Sequence, residues 1–284
     1  MHRRTTVLII VAILWAVGPI QGQENQADES SASSTKPQRQ LRYVNPLVME
    51  NAGRLADPTV IKFQETYYLY LTGGVSPGGR LGAAVWSSTD LVNWKHNDVS
   101  IEGGRGIGAP TAFEYQGYVY LAGNDTGLFR SRNPLGPFEF FGDFVDEHGH
   151  RLERSLHDFC RGCADGGVFD AAVFVDEDSR VYLYYAGGGG DGVYGVELDS
   201  SNLRKFVGPA KHFFRFEPSH IWERYGSRNE MSTQSWIEGP WITKHSGTYY
   251  LQYAAPGTEW KTYGVGVYTS QDPLGPFDYY DGSP

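Results

Sequence analysis

Alternating apolar and polar positions recur in four segments of the chain, and all four segments have the same layout. Each begins as a short, mostly apolar strand, passes through a polar turn and returns as an aromatic strand. The segments are DPTVIKFQETYYLYLTG from Asp57, APTAFEYQGYVYLAGN from Ala109, DAAVFVDEDSRVYLYYAG from Asp170 and EGPWITKHSGTYYLQYAA from Glu238. Strand-like runs joined by short polar turns are typical of β-hairpins.

Another strand-like stretch follows each hairpin, such as GAAVWSSTDLVNWK after the first and YGVGVYTSQDPLGPFDYY after the last. A repeat of three or four antiparallel strands with a period of about 50 to 70 residues is typical of a β-propeller blade. A β-sandwich is the competing all-β interpretation, but it does not predict one recurring hairpin with one recurring head. The sequence therefore predicts an all-β propeller with four recognisable repeat units.

The residues that head the repeats are candidates for a shared site. The first strand of a propeller blade lines the central channel, so these residues should converge on one pocket. They are Asp57, Ala109, Asp170 and Glu238. Aligning Pro240 with Pro58 places Glu238 one residue further out than Asp57. A lone Asp before Pro is usually a turn former, but three acids at repeat heads predict an acidic pocket in which at least one carboxyl has a raised pKa.

Composition and charge narrow the range of partners. The 36 glycines and the abundant aromatic residues favour strands and turns over helices. A net charge of −9 argues against a nucleic-acid partner, which would require a basic face, and is compatible with a neutral polymer such as a polysaccharide. The eight His are scattered without metal-ligand spacing, so the sequence predicts no metal site.

The N-terminus has the features of an export signal. Residues 1–22 combine a positively charged start, an apolar run over 7–17 and a small residue before Gln23. A retained membrane anchor is the alternative, but the apolar run is short for a transmembrane helix. Residues 23–40 are polar and lack hydrophobic periodicity, which predicts a flexible linker before a folded part that begins near Leu41. We expect a secreted or periplasmic protein with no membrane association once the signal is cleaved.

Cys160 and Cys163 form the only C-x-x-C pair of the sequence, in FCRGCADGG. In an exported protein this spacing favours a disulfide that closes a small loop. Free thiols, or half of a metal site, are the alternatives.

Five stretches together resemble the family 43 glycoside hydrolases, which are five-bladed β-propellers. They are LADPTVIKFQETYYLYLTG, SSTDLVNWK, FDAAVFVDEDSRVYLYYAG, WIEGPWITKHSGTYYLQYAAPG and YTSQDPLGPF. The resemblance runs from about Asn45 to the C-terminus. It implies an inverting hydrolase of arabinose- and xylose-containing plant polysaccharides and oligosaccharides, with arabinofuranosyl or xylosyl linkages as the expected targets.

The resemblance also implies a role for each acid. Asp57 in ADP matches the family's general base, Asp170 in FDAA matches the aspartate that orients and tunes the acid, and Glu238 in EGP matches the general acid. Inversion requires one carboxylate to activate water and another, protonated, to give a proton to the leaving oxygen. A third negative charge nearby would help to keep Glu238 protonated near neutral pH.

Three other positions carry weaker signals. Trp86 in GAAVWSS is a candidate for stacking on a sugar ring, with core packing as the alternative. Arg130 in LFRSR is a candidate for contacts with sugar hydroxyls, or is a solvated surface residue. Asn124 begins the sequon Asn124-Asp125-Thr126, which matters only in a eukaryotic host.

The sequence departs from the family pattern in two places. Gly108 stands where the family usually has Trp before the Ala-Pro of the second blade. The sequence also stops at Pro284 after four repeat heads, whereas family members continue through a further blade that often carries a His lining the channel or contacting a cation. We therefore expect residues 41–284 to be a catalytic domain that lacks its C-terminal blade, with no required cofactor.

Two other functions stay open. A catalytically inactive carbohydrate-binding propeller would bind sugars without turnover on aryl glycosides. A fructan-active relative on a five-bladed propeller would use an aspartate nucleophile and retain configuration, although the EGP and FDAA motifs argue against it. The anomer that is released first separates this last alternative from an inverting enzyme.

Overall fold

A computed structural model describes residues 55–79, 84–104, 106–124, 126–152 and 168–284. The predicted export signal, the linker and the cysteine pair Cys160 and Cys163 lie outside these ranges and stay predictions. Within the same ranges, no helix is long and apolar enough to cross a membrane.

The described strands form four antiparallel sheets, each made of consecutive strands, which we call blades 1 to 4. Blade 1 contains β1 (Ala56–Phe63), β2 (Thr66–Thr72), β3 (Ala84–Ser88) and β4 (Lys95–Asp98). Blade 2 contains β5 (Thr111–Tyr115), β6 (Tyr118–Ala122), β7 (Leu128–Ser131) and β8 (Glu139–Gly142). Blade 3 contains β9 (Phe169–Val175), β10 (Val181–Ala186), β11 (Val193–Asp199), β12 (Asn202–Phe206) and β13 (Lys211–Phe214). Blade 4 contains β14 (Glu238–His245), β15 (Thr248–Ala255), β16 (Gly264–Ser270) and β17 (Asp278–Tyr279). Short 3₁₀ turns lie at Glu102–Gly104, Gly189–Asp191 and Ile221–Glu223.

Each predicted hairpin is present as the first two strands of a blade. In blade 1, Phe63 pairs with Thr66 across a two-residue turn, and in blade 4 His245 pairs with Thr248 in the same way. A polar residue in each of the four turns adopts a positive φ; these residues are Gln64, Gln116, Ser179 and Ser246. Short hairpin turns require such conformations, which explains the polar interruption in every repeat.

The blades pack side by side around a common axis. Their first strands are neighbours in the order β1, β5, β9 and β14. Apolar clusters fill the spaces between blades 1 and 2, between blades 2 and 3, and between blades 3 and 4. The repeated leucines Leu121, Leu183 and Leu251 lie in these layers and are at most 1% exposed. This arrangement confirms the predicted all-β propeller with four recognisable repeat units.

Candidate active site

The first strands of blades 1, 3 and 4 open with the same backbone irregularity. In blades 1, 3 and 4 the first strand advances three residues while its partner advances two, which defines a β-bulge. One residue of each bulge, and its counterpart in blade 2, has a left-handed φ; the four are Asp57 (52°), Ala109 (42°), Asp170 (46°) and Gly239 (58°). This conformation is uncommon outside glycine, although Asp tolerates it better than most residues. Bulges change the direction of a side chain, so the repeat heads project differently from the rest of the strand.

These four residues with a left-handed φ meet at one end of the axis. Together with the residue that follows each of them, they line a cavity of about 190 Å³. The lining residues that bear carboxylates are Asp57 and Asp170. The structure therefore brings together Asp57, Ala109 and Asp170 from the heads of three repeats, whereas in the fourth repeat Gly239 and not Glu238 lines the cavity.

The fourth repeat differs from the other three, because its bulge holds Gly239 and Glu238 is the residue before it. Glu238 pairs with Ala254, as Ala56 pairs with Thr72 in blade 1. The one-residue offset predicted from the alignment of the prolines is thus present. Glu238 reaches the site from a position that in the other blades carries no acid.

Three backbone bonds tie the segment around Glu238 to other loops. The N–H groups donate from Trp236 to the carbonyl of Pro256 (2.7 Å), from Ile237 to the carbonyl of Gly189 (2.8 Å) and from Gly239 to Oδ2 of Asp170 (3.2 Å). The carboxyl itself accepts a hydrogen bond at Oε1 from the hydroxyl of Tyr263, at 2.8 Å. The start of β14 is therefore held from blade 3 and from the loop between β15 and β16.

The pKa of Glu238 is raised to about 7, well above its ordinary value of 4.5. Burial is the largest cause, and the negative charges of Asp170 and Asp57 add to it. Hydrogen bonds from Tyr263 and Trp236 act in the opposite direction, because they stabilise the ionised carboxylate. The sequence predicted a raised pKa from charge repulsion, whereas the structure makes burial the main cause.

Aromatic side chains supply much of this burial. Phe169, which directly precedes Asp170, and Trp236, two residues before Glu238, pack edge to face with ring centroids 6.0 Å apart. Tyr225 and Trp260 make a second such pair, with centroids 6.1 Å apart, and Tyr225 senses the charge of Glu238. An apolar wall beside a carboxyl favours its protonated form.

Asn124 orients Asp170, and sequence reasoning missed this role. The backbone N–H of Asp170 donates to Oδ1 of Asn124 at 2.6 Å, and Nδ2 of Asn124 donates to Oδ1 of Asp170 at 3.0 Å. In the sequence, Asn124 stands out only as the first residue of a sequon. Its place just after the aromatic strand of repeat 2 was the available signal, because that strand ends beside the repeat heads.

Asp57 is the most open of the three acids, with an exposed side chain at the start of β1. Its position in the cavity lining gives it access to both solvent and a bound ligand. Across the described ranges, no group of three or more His, Cys, Asp or Glu is arranged to hold a metal ion.

The structure places the two weaker candidates away from this cavity. Trp86 is only 1% exposed and stacks on His96 with ring centroids 4.8 Å apart, so its faces are taken up by the core of blade 1. Arg130 lies over Phe141 and Tyr118, at 4.5 and 5.2 Å from the ring centroids. Tyr118 begins β6 at the turn of its hairpin, which is the end remote from the repeat heads. Neither residue is placed to contact a sugar in the cavity, and both predictions are corrected.

A propeller with a partly buried, weakly acidic glutamic acid beside two aspartates has the groups that acid–base cleavage of a glycosidic bond requires. Comparison with known sequences gives the same class. The profile of glycosyl hydrolases family 43 matches residues 43–284, so the chain belongs to this family. Its members are O-glycosyl hydrolases that characteristically work with inversion, the class predicted from the sequence. The family fold has five blades, of which the described residues form four.

Curated relatives include two hydrolases with different sugar names. The chain is 27% identical to an arabinoxylan arabinofuranohydrolase of Bacillus subtilis, with 98% of this chain and 58% of that protein covered. It is 26% identical to a β-D-galactofuranosidase of Aspergillus niger, with 79% of this chain and 63% of that protein covered. The chain thus spans less than two thirds of the length of these relatives.

Solved structures agree in fold. A thermostable family 43 glycoside hydrolase is 25% identical with a TM-score of 0.60, over 86% of this chain and 76% of the other. An endo-1,4-β-xylanase from Bacteroides thetaiotaomicron is 25% identical with a TM-score of 0.59, over 81% and 73% of the two chains.

Proposed function

We propose that this protein is an exported glycoside hydrolase that cleaves arabinofuranosyl or xylosyl linkages of plant-type polysaccharides or oligosaccharides with inversion. Family membership supports a glycoside hydrolase of plant polysaccharides. The names of the arabinoxylan arabinofuranohydrolases of Bacillus subtilis and Paenibacillus polymyxa support the choice of linkage. The observation that carries the proposal is the half-buried Glu238 at the start of β14, close enough to Asp57 and Asp170 for their negative charges to disfavour its ionised form.

Glu238 is the proton donor in this proposal. A carboxyl with a pKa of about 7 is largely protonated in mildly acidic solution, yet acidic enough to give up its proton. Its backbone is fixed on both sides by bonds to other loops, which limits the positions that the carboxyl can occupy. Protonation of the glycosidic oxygen turns a poor leaving group into a neutral alcohol.

Asp57 is the base that activates water, and Asp170 is a positioning residue. Asp57 lies in the cavity lining with an exposed side chain, where it can accept a proton from a water molecule. Asp170 accepts one hydrogen bond from Asn124 and one from the backbone N–H of Gly239. It therefore connects the bulges of blades 3 and 4, and its charge helps to keep Glu238 protonated.

The test is the kinetics of Glu238→Gln on two kinds of substrate. A screen of aryl arabinofuranosides, xylosides and galactosides first identifies the sugar. On a substrate with a poor leaving group, the variant should lose about 10²- to 10⁴-fold in kcat/KM, because that oxygen must be protonated as it leaves. On a substrate with an activated leaving group the loss should be much smaller. Equal losses on both would contradict the acid role.

Two measurements on the wild-type protein separate this proposal from its alternatives. NMR of the first anomer released should show inversion, and retention would favour the fructan-type mechanism. Sugar binding without turnover on every aryl glycoside would favour an inactive binding propeller.

A further inference from the structure

We infer that Tyr263 is a positioning residue that orients the carboxyl of Glu238 and sets the pH range over which it donates a proton. The inference deepens the proposed function and rests on it. Tyr263 lies immediately before β16, at the end of the loop that connects β15 to β16. This loop is outside the repeated hairpins, so no repeat motif points to it.

The geometry places the hydroxyl of Tyr263 on the reactive group itself. The hydroxyl donates to Oε1 of Glu238 at 2.8 Å, a normal distance for an O–H donor and a carboxylate. The loop holds the main chain of Tyr263, whose N–H donates to the carbonyl of Trp260 at 3.1 Å. Thr262 also donates to the carbonyl of Gly226, at 3.3 Å. A bond to Oε1 restricts rotation of the carboxyl and so limits the directions in which it can give a proton to a substrate.

Charged and titratable groups face Glu238 from several elements. Asp57 from β1 and Asp170 from β9 disfavour its ionised form, as burial does. Tyr225, from the segment before β14, is neutral near pH 7 like any tyrosine, and burial raises its pKa further, to about 12. The hydrogen bond from Tyr263 lowers the pKa of Glu238, against the effects of burial and repulsion, because it stabilises the carboxylate. The hydroxyl of Tyr263 is protonated near neutral pH, because the ordinary pKa of tyrosine is about 10, and desolvation raises that pKa further, so the hydroxyl remains a donor.

Tyr263→Phe tests the inference, because it removes the hydroxyl and keeps the ring. Loss of the bond should move the alkaline limb of the kcat/KM profile upward by about one pH unit, which is the effect of one hydrogen bond to a charged group after solvent screening. The kcat on the plateau should fall by about 3- to 30-fold as the carboxyl loses its orientation. If Tyr263 served only packing, the substitution would lower activity without shifting the alkaline limb of the kcat/KM profile.

A second measurement does not depend on turnover. In protein with ¹³C-labelled glutamate carboxyls, the Glu238 signal is the one that Glu238→Gln removes. Its titration midpoint should move upward in Tyr263→Phe by about the same amount as the kinetic limb. Tyr225→Phe is the matched control, because it removes a hydroxyl from the same aromatic wall that is bonded to Glu259 rather than to Glu238. The control should leave the midpoint of Glu238 in place.

The outcomes separate this inference from the proposed function. If Glu238→Gln shows the expected kinetics but Tyr263→Phe leaves both the limb and the carboxyl midpoint unchanged, or moves them downward, the inference is overturned and the proposed function stands. If Glu238→Gln has no effect on activity, the proposed function fails, and with it the role of Tyr263 in proton donation.

Discussion

Replacing Glu238 by Gln should stabilise the folded protein above neutral pH. The pKa of this carboxyl is about 7 in the folded protein and 4.5 without the influence of the fold. Between these two values the unfolded chain releases the proton while the folded chain keeps it. The free energy of unfolding therefore falls as pH rises through this window and stays low above it. Gln cannot ionise, so the free energy of unfolding of the variant does not fall in this way as pH rises.

The magnitude follows from the size of the pKa difference. Each pKa unit corresponds to about 1.4 kcal/mol, so a rise from 4.5 to about 7 sets an upper bound of about 3 kcal/mol. Glu238 is only partly buried, and solvent screening reduces the expected gain to about 1–2 kcal/mol. For a domain of this size, that is a rise in Tm of about 2–8 °C.

Thermal unfolding at two pH values provides the assay. The Tm of Glu238→Gln should exceed that of the wild type at pH 8.5, and the difference should be much smaller at pH 5. Glu65→Gln is a suitable control, because the side chain of Glu65 is 93% exposed in the first hairpin turn. That variant should show the same small change at both pH values. A variant at Glu238 that is destabilised at pH 8.5, or stabilised equally at both pH values, would refute the reasoning.

Two further predictions concern the other groups of the site. Asp57→Asn should abolish turnover with sugar binding nearly intact, and added azide should restore reaction to give a glycosyl azide of inverted configuration; a retained product would make Asp57 a nucleophile. Asn124→Ala should lower kcat by about 10- to 100-fold with little change in KM, because Asp170 loses both bonds from this side chain; an unchanged kcat would show that the bulge alone holds Asp170.

The blades could be predicted from the sequence because their causes are local. Period-two alternation, polar turn residues and a recurring leucine lie within each repeat, and each hairpin forms from neighbouring residues. The meeting of Asp57 and Asp170 follows from the repeat symmetry alone. Even the offset of Glu238 could be read from the prolines, because Pro58 and Pro240 occupy equivalent positions after the bulge residue.

The contacts that shape the site could not be predicted, because they join different repeats. Asn124 belongs to blade 2 and bonds to Asp170 of blade 3, which becomes apparent only when the blades are packed. Tyr263 reaches Glu238 from a loop whose path has no sequence signature. Trp86 is the reverse case. A lone aromatic residue in a strand suggests a surface for stacking on a sugar, but in the structure the ring of His96 stacks on it.

The head of each blade holds a residue with a left-handed φ, and this backbone conformation is the same whatever side chain it carries. The same backbone turn carries a carboxylate at Asp57 and Asp170, a methyl group at Ala109 and no side chain at Gly239. Because the hairpin behind it supplies the pairing and the burial, the residue at the head differs from blade to blade while the blade keeps its form, within the limit that the residue must adopt a left-handed φ. Ala109 occupies the equivalent backbone position in blade 2 and bears no reactive group. Gly239 leaves open space next to Glu238, the acid that precedes it. The candidate active site is thus a set of equivalent backbone positions on a repeated frame, and its chemistry is decided by which group each position carries.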